Sequence, residues 1–285
     1  MGEKDLTEKS LEFYPDVFAD VVNALLYQGE QVLMAETLQS APTETLYPGK
    51  QGILRNQFHD VSKYVIHEGI IQAQYVLENE TKINRKIVLR KAGYEGAVYR
   101  EQYDGEQVYP FIGLVLYWGK YRWKTPRSLM QLFGRNDVIE KNLSYIDNIK
   151  AHVYEMSHLP KKVRNRFHSD MRIIVDYLAE GENYVPTKQK IVHLEAVLRM
   201  LRALTGDARF KEIIGDLHDE EKEKGGVTMC ELLDKHEKCG ENRMAKLSKK
   251  LIKKNRIADL LRASEDEAYR EQLFREFGIA SKLRT

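Results

Sequence analysis

Apolar positions recur along this 285-residue chain with two different periods, and the switches between them mark its elements. Tyr14-Pro15-Asp16 opens a helix. Val17, Phe18, Val21, Val22, Leu25 and Leu26 follow at helical spacing, and Gly29 stands where a helix stops. Residues 38–51 contain Ser40, Pro42, Thr43, Pro48 and Gly49 and read as a loop. Two strands are predicted next, over 60–66 and 70–78, joined by a turn at His67-Glu68-Gly69. Asn84 is placed to cap a helix running to Gln102, with Ile87, Lys91, Tyr94 and Val98 on one face. Ala92, Gly93, Gly96 and Ala97 form a small-residue patch within it. A glycine inside a helix costs about 1 kcal/mol against alanine, so either a neighbour approaches the patch closely or it is ordinary helix-on-sheet packing. Phe111 to Trp118 is an unbroken apolar run ending at Gly119, the pattern of a buried strand.

Beyond residue 120 the periodicity becomes mainly helical. A further strand is expected within 144–156. One helix is expected over 161–178, with Val163, Phe167, Met171, Ile174, Val175 and Leu178 inward. Another covers 188–204, with Ile191, Leu194, Val197, Leu198 and Leu201 inward. Residues 219–224 form a charged break, and Ser264 with Glu267 makes a capping-box pattern ahead of a last helix over 265–277. The fold class expected is α/β. Helix, strand, strand, helix, strand allows a crossover in a mixed sheet flanked by helices. That core is expected over 12–160, with a mostly helical C-terminal region over 161–285.

Composition narrows the classes. With 42% hydrophobic and 31% charged residues the chain reads as soluble and globular. No stretch approaches the ~18 apolar residues of a membrane span. Residues 1–10 carry no apolar signal region, and Cys230 and Cys239 are the only cysteines, so a reducing cytoplasm is expected rather than secretion. His218, Cys230, His236 and Cys239 invite a zinc reading, but their spacings are long and only His236 to Cys239 resembles a ligand pair. No phosphate-binding glycine loop and no serine or cysteine nucleophile motif is present.

A net charge of +2 does not by itself announce a polyanionic partner, but the distribution of charge is uneven. Arg243, Lys246, Lys249, Lys250, Lys253, Lys254 and Arg256 form a basic run, and Lys161, Lys162, Arg164 and Arg166 a second cluster. Each is either a solvated helix face or a strip that meets phosphates. Leu247, Leu251, Leu260, Leu261 and Leu273 exceed what one small core needs, which makes a homo-oligomer a third possibility.

The candidate chemistry lies in the first half. Glu78 and Glu80 are two apart, so a strand running through both points them to one face. Neighbouring carboxylates repel, and a divalent cation between them relieves the repulsion. Asp60, at the start of the preceding strand, reaches the same edge if the two strands pair as a hairpin. Three such acids describe a magnesium site for phosphodiester hydrolysis. They equally describe three surface acids at strand ends.

What separates these readings is a resemblance. Asp60-Val-Ser-Lys-Tyr64, Glu78-Asn-Glu80-Thr-Lys-Ile-Asn84, Arg90-Lys-Ala-Gly-Tyr94-Glu-Gly-Ala-Val-Tyr99-Arg100 and Val115-Leu-Tyr-Trp-Gly119 occur in that order. Together they resemble the recombination-promoting nuclease (Rpn) and transposase-like family of the PD-(D/E)XK nuclease superfamily. Tyr14-Pro-Asp-Val-Phe18, Phe167-His-Ser-Asp-Met-Arg172 and Thr205-Gly-Asp-Ala-Arg-Phe210 extend it to about residues 12–215. The resemblance implies a restriction-endonuclease-like fold and a metal-dependent DNA endonuclease associated with recombination or mobile elements. It implies Asp60 and Glu78 as ligands of Mg2+, with Mn2+ or Ca2+ as substitutes, and Glu80 as the third catalytic position. Asp20 would be an additional carboxylate behind the metal. Arg90, Tyr94, Tyr99 and Arg100, on the helix after the site, either line DNA or serve ordinary packing, and Lys249, Lys250, Lys253 and Lys254 of the basic run are the candidates for its backbone. Two positions depart from the family pattern. Glu80 stands where the superfamily has lysine and this family usually glutamine, and His59 stands where arginine is expected. Both remove positive or neutral character near a phosphate, and this raises the alternative of a catalytically lapsed relative that binds DNA or a protein partner.

Overall fold

Proline at the first helical position has no N–H to leave unpaired, and in the computed structural model the first helix, α1, begins there. It spans Pro15–Leu26 and buries Val17, Phe18, Val21, Val22 and Leu25. Residues 11–48, 54–58, 60–216 and 226–279 are the ones described. The chain leaves α1 through Gln28 (φ 58°) and Gly29 (φ 95°). A Cβ on Gly29 would stand 3.2 Å from Arg166 Cβ, so both backbone and space favour glycine.

The segment read as a loop carries strands. β1 is Leu38–Ser40, β2 Glu44–Pro48 and β3 Leu54–Phe58. Pro42 falls between β1 and β2, and Pro48 ends β2 opposite Leu54. β1 finds its hydrogen bonds on β4, Val61–His67, with Leu38 opposite Val65. A three-residue edge strand has no periodicity to read, and only the partner reveals it. β2 and β3 pair with each other as a separate antiparallel ribbon.

β4 turns through Glu68 (φ 51°) and Gly69 (φ 79°) into β5, Ile70–Glu80. β6 is Phe111–Tyr117 and β7 is His152–Glu155. The sheet order is β1-β4-β5-β6-β7. β1, β4 and β5 run antiparallel, whereas β5, β6 and β7 run parallel. The fold is therefore α/β on a five-stranded mixed sheet.

Helices cover both faces. On one, Tyr27 at the end of α1 hydrogen-bonds Tyr75 of β5 (2.6 Å), and the Lys63 ammonium of β4 lies over the Phe18 ring. On the other lies α2, Ile87–Glu101, the crossover between β5 and β6. Its Ile87 and Val88 pack with Val115 and Tyr117, and its Tyr94 and Val98 with Val76 and Phe111. Asn84 sits ahead of the helix rather than at its cap, and its Oδ1 accepts from Lys86 N at 3.0 Å. The small-residue patch is not a close approach: Gly93 and Gly96 are exposed, and a Cβ on Gly96 would meet nothing within 4 Å. The large side chains of α2 chose the buried face. The tight glycine is Gly119, where a Cβ would fall 2.1 Å from the buried Tyr117 hydroxyl.

After β6 come two short helices, α3 (Leu129–Phe133) and α4 (Asp137–Lys141). The helix expected over 161–178 is broken into α5, Lys161–Arg164, and α6, Met171–Glu180. Asp20 of α1 causes the break. Its carboxylate accepts from His168 N, Ser169 N and the Ser169 hydroxyl, so those backbone groups point at α1 instead of continuing a helix. This ties α5 and α6 to the sheet, and the chain divides into compact units at Met1–Tyr184 and Val185–Thr285, 24 residues beyond the expected 160/161 boundary.

The second unit is helical: α7 Leu194–Thr205, α8 Ala208–Asp216, α9 Met229–Lys253, α10 Ile257–Glu265 and α11 Glu267–Glu276. α7 starts later than expected because Ile191 N bonds Val227 O and Lys190 bridges Thr228, which keeps the chain extended. Thr228 and Glu231 form a capping box on α9. α11 is capped by Asp266, while the Ser264 hydroxyl bonds Leu261 O inside α10. Leu247, Leu251 and Leu273 are buried in this unit's own core with Leu260 against them, and Leu261 alone of the five leucines is exposed. The charged break at 219–224 and His218 lie outside the described residues. Among those residues no helix is long and apolar enough to cross a membrane.

Candidate functional site

The register of β4 on β5 decides where the acids meet. Val61 pairs with Leu77, so Asp60 lies just beyond the end of β4, beside Glu78. Its Oδ2 accepts from Asn79 N at 2.6 Å. β5 continues through Glu80, which pairs with Tyr117 as Glu78 pairs with Val115. The alternation of the strand therefore puts both glutamates on the face that α2 covers.

Two anchors hold α2 there, Ile87 and Val88, and Arg90 one turn on reaches back to the acids. Its Nη2 is 2.5 Å from Glu78 Oε2 and its Nη1 is 2.9 Å from Glu80 Oε1. The latter contact lacks hydrogen-bond alignment at the buried Glu80 Oε1. The Glu78 and Glu80 side chains are 7% and 12% exposed, against 33% for Arg90. The guanidinium thus has a path to solvent that the carboxylates do not.

Burial pushes the Glu80 carboxyl above the usual carboxylate range. Arg90 and a hydrogen bond from Asn84 pull it back, and the charges of Glu78 and Asp60 add to the rise. Burial opposes the charge of Arg90, but Glu78, Tyr94 and Glu80 outweigh it and hold the guanidinium more firmly protonated than usual. Arg90 draws on both carboxylates, while Glu80 shares its cation with Glu78.

A second set of contacts, on the opposite face, locks the backbone between the glutamates. Asn79 Nδ2 donates to Glu12 Oε2 (2.8 Å), Trp118 Nε1 donates to Asn79 Oδ1 (2.7 Å), and Trp118 N donates to Glu80 O (2.8 Å). Glu12, Asn79 and Trp118 are all buried. Sequence reasoning missed all three. The only signal was a polar residue inside an apolar strand, and its partners come from 67 and 39 residues away.

Asp60, Glu78, Glu80 and Arg90 are thus brought together, and the other candidates of the first unit have other surroundings. Asp20 is committed to the 168–169 backbone. Tyr94 is buried in the core against Val76 and Phe111 and offers no face for stacking. Arg100 and Tyr99 lie on the exposed side of α2, where the Tyr99 hydroxyl accepts from Phe111 N. Lys249, Lys250, Lys253 and Lys254 are exposed on α9 or at its end. Lys250 donates to Phe277 O and Lys254 lies over the Phe277 ring. Arg243 pairs with Glu271, and Arg256 with Glu276. The basic run is therefore partly internal bracing. Cys230 is exposed with its sulfur 3.7 Å from Asp234, whereas His59 and the side chains of His236 and Cys239 lie outside the described residues.

Among the described residues no three His, Cys, Asp or Glu side chains are set as a ready metal cage. The donor chemistry nevertheless fits a hard divalent ion, because Glu78 and Glu80 already converge on one cation, the Arg90 guanidinium, with Asp60 beside them. Comparison with protein-family models, with curated proteins and with solved structures finds no match to this chain.

Proposed function

We propose that the chain is a metal-dependent DNA endonuclease of the Rpn type, with the restriction-endonuclease-like version of its α/β fold and a role in recombination or mobile elements. One observation carries the reading. Two carboxylates of one strand aim at a single cation at the sheet end, and Asp60, just beyond the adjacent strand, lies beside them. Asp60 and Glu78 are the residues that would hold Mg2+, and Mn2+ or Ca2+ would suit the same oxygen donors. When bound, the ion would lower the pKa of an attacking water and neutralise charge on the phosphate. Asn79 N keeps Asp60 oriented. Glu80, which faces the same cation as Glu78, would add a further oxygen to the ion. Two cysteines in 285 residues support a cytoplasmic setting.

The test is plasmid nicking by purified protein in Mg2+, Mn2+ or chelator. Asp60→Asn and Glu78→Ala are each expected to lose about a hundredfold or more, the scale of a group that acts in the transition state. Equal cleavage by wild type and both variants would end the nuclease reading.

Arg90 favours a second reading. A guanidinium across both glutamates is also what a lapsed site keeps as a lasting counter-charge, on a scaffold that binds DNA or a protein partner. Cleavage absent in wild type and present in Glu80→Gln would select this reading.

A further inference from the structure

We propose that Arg90 is the site's own stand-in for its metal ion: it holds Glu78 and Glu80 together until a divalent cation displaces it, and metal binding is therefore an exchange of guanidinium for metal. This rests on the metal-site reading above and adds the residue that sets its affinity.

The geometry carries the exchange. Arg90 spans the two carboxylates, Nη2 on Glu78 at 2.5 Å and Nη1 near Glu80 at 2.9 Å. It thus stands where a metal shared by those oxygens would have to stand. Its hold is unequal. It makes a hydrogen bond to Glu78, whereas the buried Glu80 Oε1 lies within reach but out of alignment. A metal ion, having no directional donors, serves both oxygens without that restriction. One guanidinium also brings a single positive charge to three carboxylates, and a divalent ion brings two.

The side chains differ in freedom as well. Arg90 is a third exposed and its guanidinium carbon lies 5.7 Å from the Tyr94 ring centroid, one turn along α2. It has a path outward to solvent while the helix stays anchored through Ile87 and Val88. The glutamates are pinned, because the backbone between them is tied through Asn79 and Trp118. An arginine so released is free to meet a phosphate bidentately, which couples metal entry to substrate capture.

The experiment is Mn2+ titration of the full chain by calorimetry and by electron paramagnetic resonance of the free ion, on wild type, Arg90→Gln and Arg90→Lys. Thermal unfolding in chelator and in Mn2+ runs alongside as the folding control. Arg90→Gln is expected to bind Mn2+ at least about tenfold more tightly, because the charge-assisted contacts that compete with the ion are gone. Arg90→Lys keeps the charge but has one donor point, so it shifts the same way by less, and it serves if Arg90→Gln fails to fold. Arg90→Gln is also expected to melt lower than wild type in chelator and to regain the difference in Mn2+. Binding that appears only in Arg90→Gln counts in favour, since the competitor was then the whole barrier. Equal or weaker binding by both variants overturns the exchange and leaves the metal reading standing. No binding by any of the three proteins removes the metal reading and the exchange with it.

Discussion

Asn79 stands between two glutamates and points away from both, so its side chain acts on the far face of the sheet. It takes a hydrogen bond from Trp118 and gives one to Glu12, and both partners are buried. A buried polar group that loses its partner costs about 1–3 kcal/mol. Asn79→Ala removes one hydrogen-bond partner from each of two such groups and is expected to destabilise the fold by about 2–6 kcal/mol, read from the midpoint of urea unfolding. A loss below about 0.5 kcal/mol, the level of an ordinary surface change, would mean that the Glu12–Asn79–Trp118 chain is not what holds the end of β5. From sequence the pair Glu78 and Glu80 was legible through strand alternation alone. Asn79 between them was not, because its function depends on residues that only folding brings near. The same holds for Arg90: the sequence placed it on the helix after the acids, but its pairing with them required α2 to lie on the glutamate face.

At the scale of elements, strongly periodic segments were the readable ones. α1, β4, β5 and β6 begin and end within a few residues of expectation, since each carries a full apolar face. β1 and β7 were harder to place, because they are three and four residues long and owe their form to a neighbouring strand. β7 also carries a charge lock. Glu155 accepts from Trp123 N at 3.0 Å and from Arg127 at 2.8 Å. Burial alone would raise the Glu155 carboxyl, but Trp123 N and the charges of Arg127 and Arg122 more than reverse that and hold it below its ordinary value. A lowered folded pKa means stability that is present above the unfolded value, about 4.3, and lost as the pH falls through the folded one. Glu155→Gln is therefore expected to melt below wild type at pH 7, with the gap closing toward about pH 3. A gap that stays constant over this range would assign the effect to packing instead. The interruption between α5 and α6 has a similar origin: the periodicity of 161–178 is continuous, and one carboxylate on α1 outbids it.

For the whole molecule, the division at Tyr184/Val185 assigns the acidic site to the first unit and the basic helix α9 to the second. Each unit closes its own core, and the leucines of α9 and α11 do so for the second. Within the basic run Lys250 and Lys254 are engaged with Phe277, which leaves Lys246, Lys249 and Lys253 as the exposed lysines outside that contact, and of these Lys249 and Lys253 are the pair to test against DNA. Each phosphate a lysine neutralises contributes about 0.9 to the slope of log affinity against log salt. The double change Lys249→Ala, Lys253→Ala is expected to flatten that slope by about 1.8 if both meet phosphates, measured by fluorescence anisotropy on labelled duplex. An unchanged slope assigns the run to a solvated face braced against α11.

The sequence by itself determined the alternation that sets Glu78 beside Glu80, the long apolar runs that become α1, β5 and β6, and the order that makes the sheet mixed. These are local properties, carried by spacing within a few residues. Tertiary structure alone decided that Asp60 meets the two glutamates, that Arg90 stands across them, that Asp20 serves the 168–169 backbone, and that Tyr94 is core. Each of these depends on register or on which helix face is buried, and both are settled by how elements satisfy one another's surfaces and hydrogen bonds rather than by any residue's own preference.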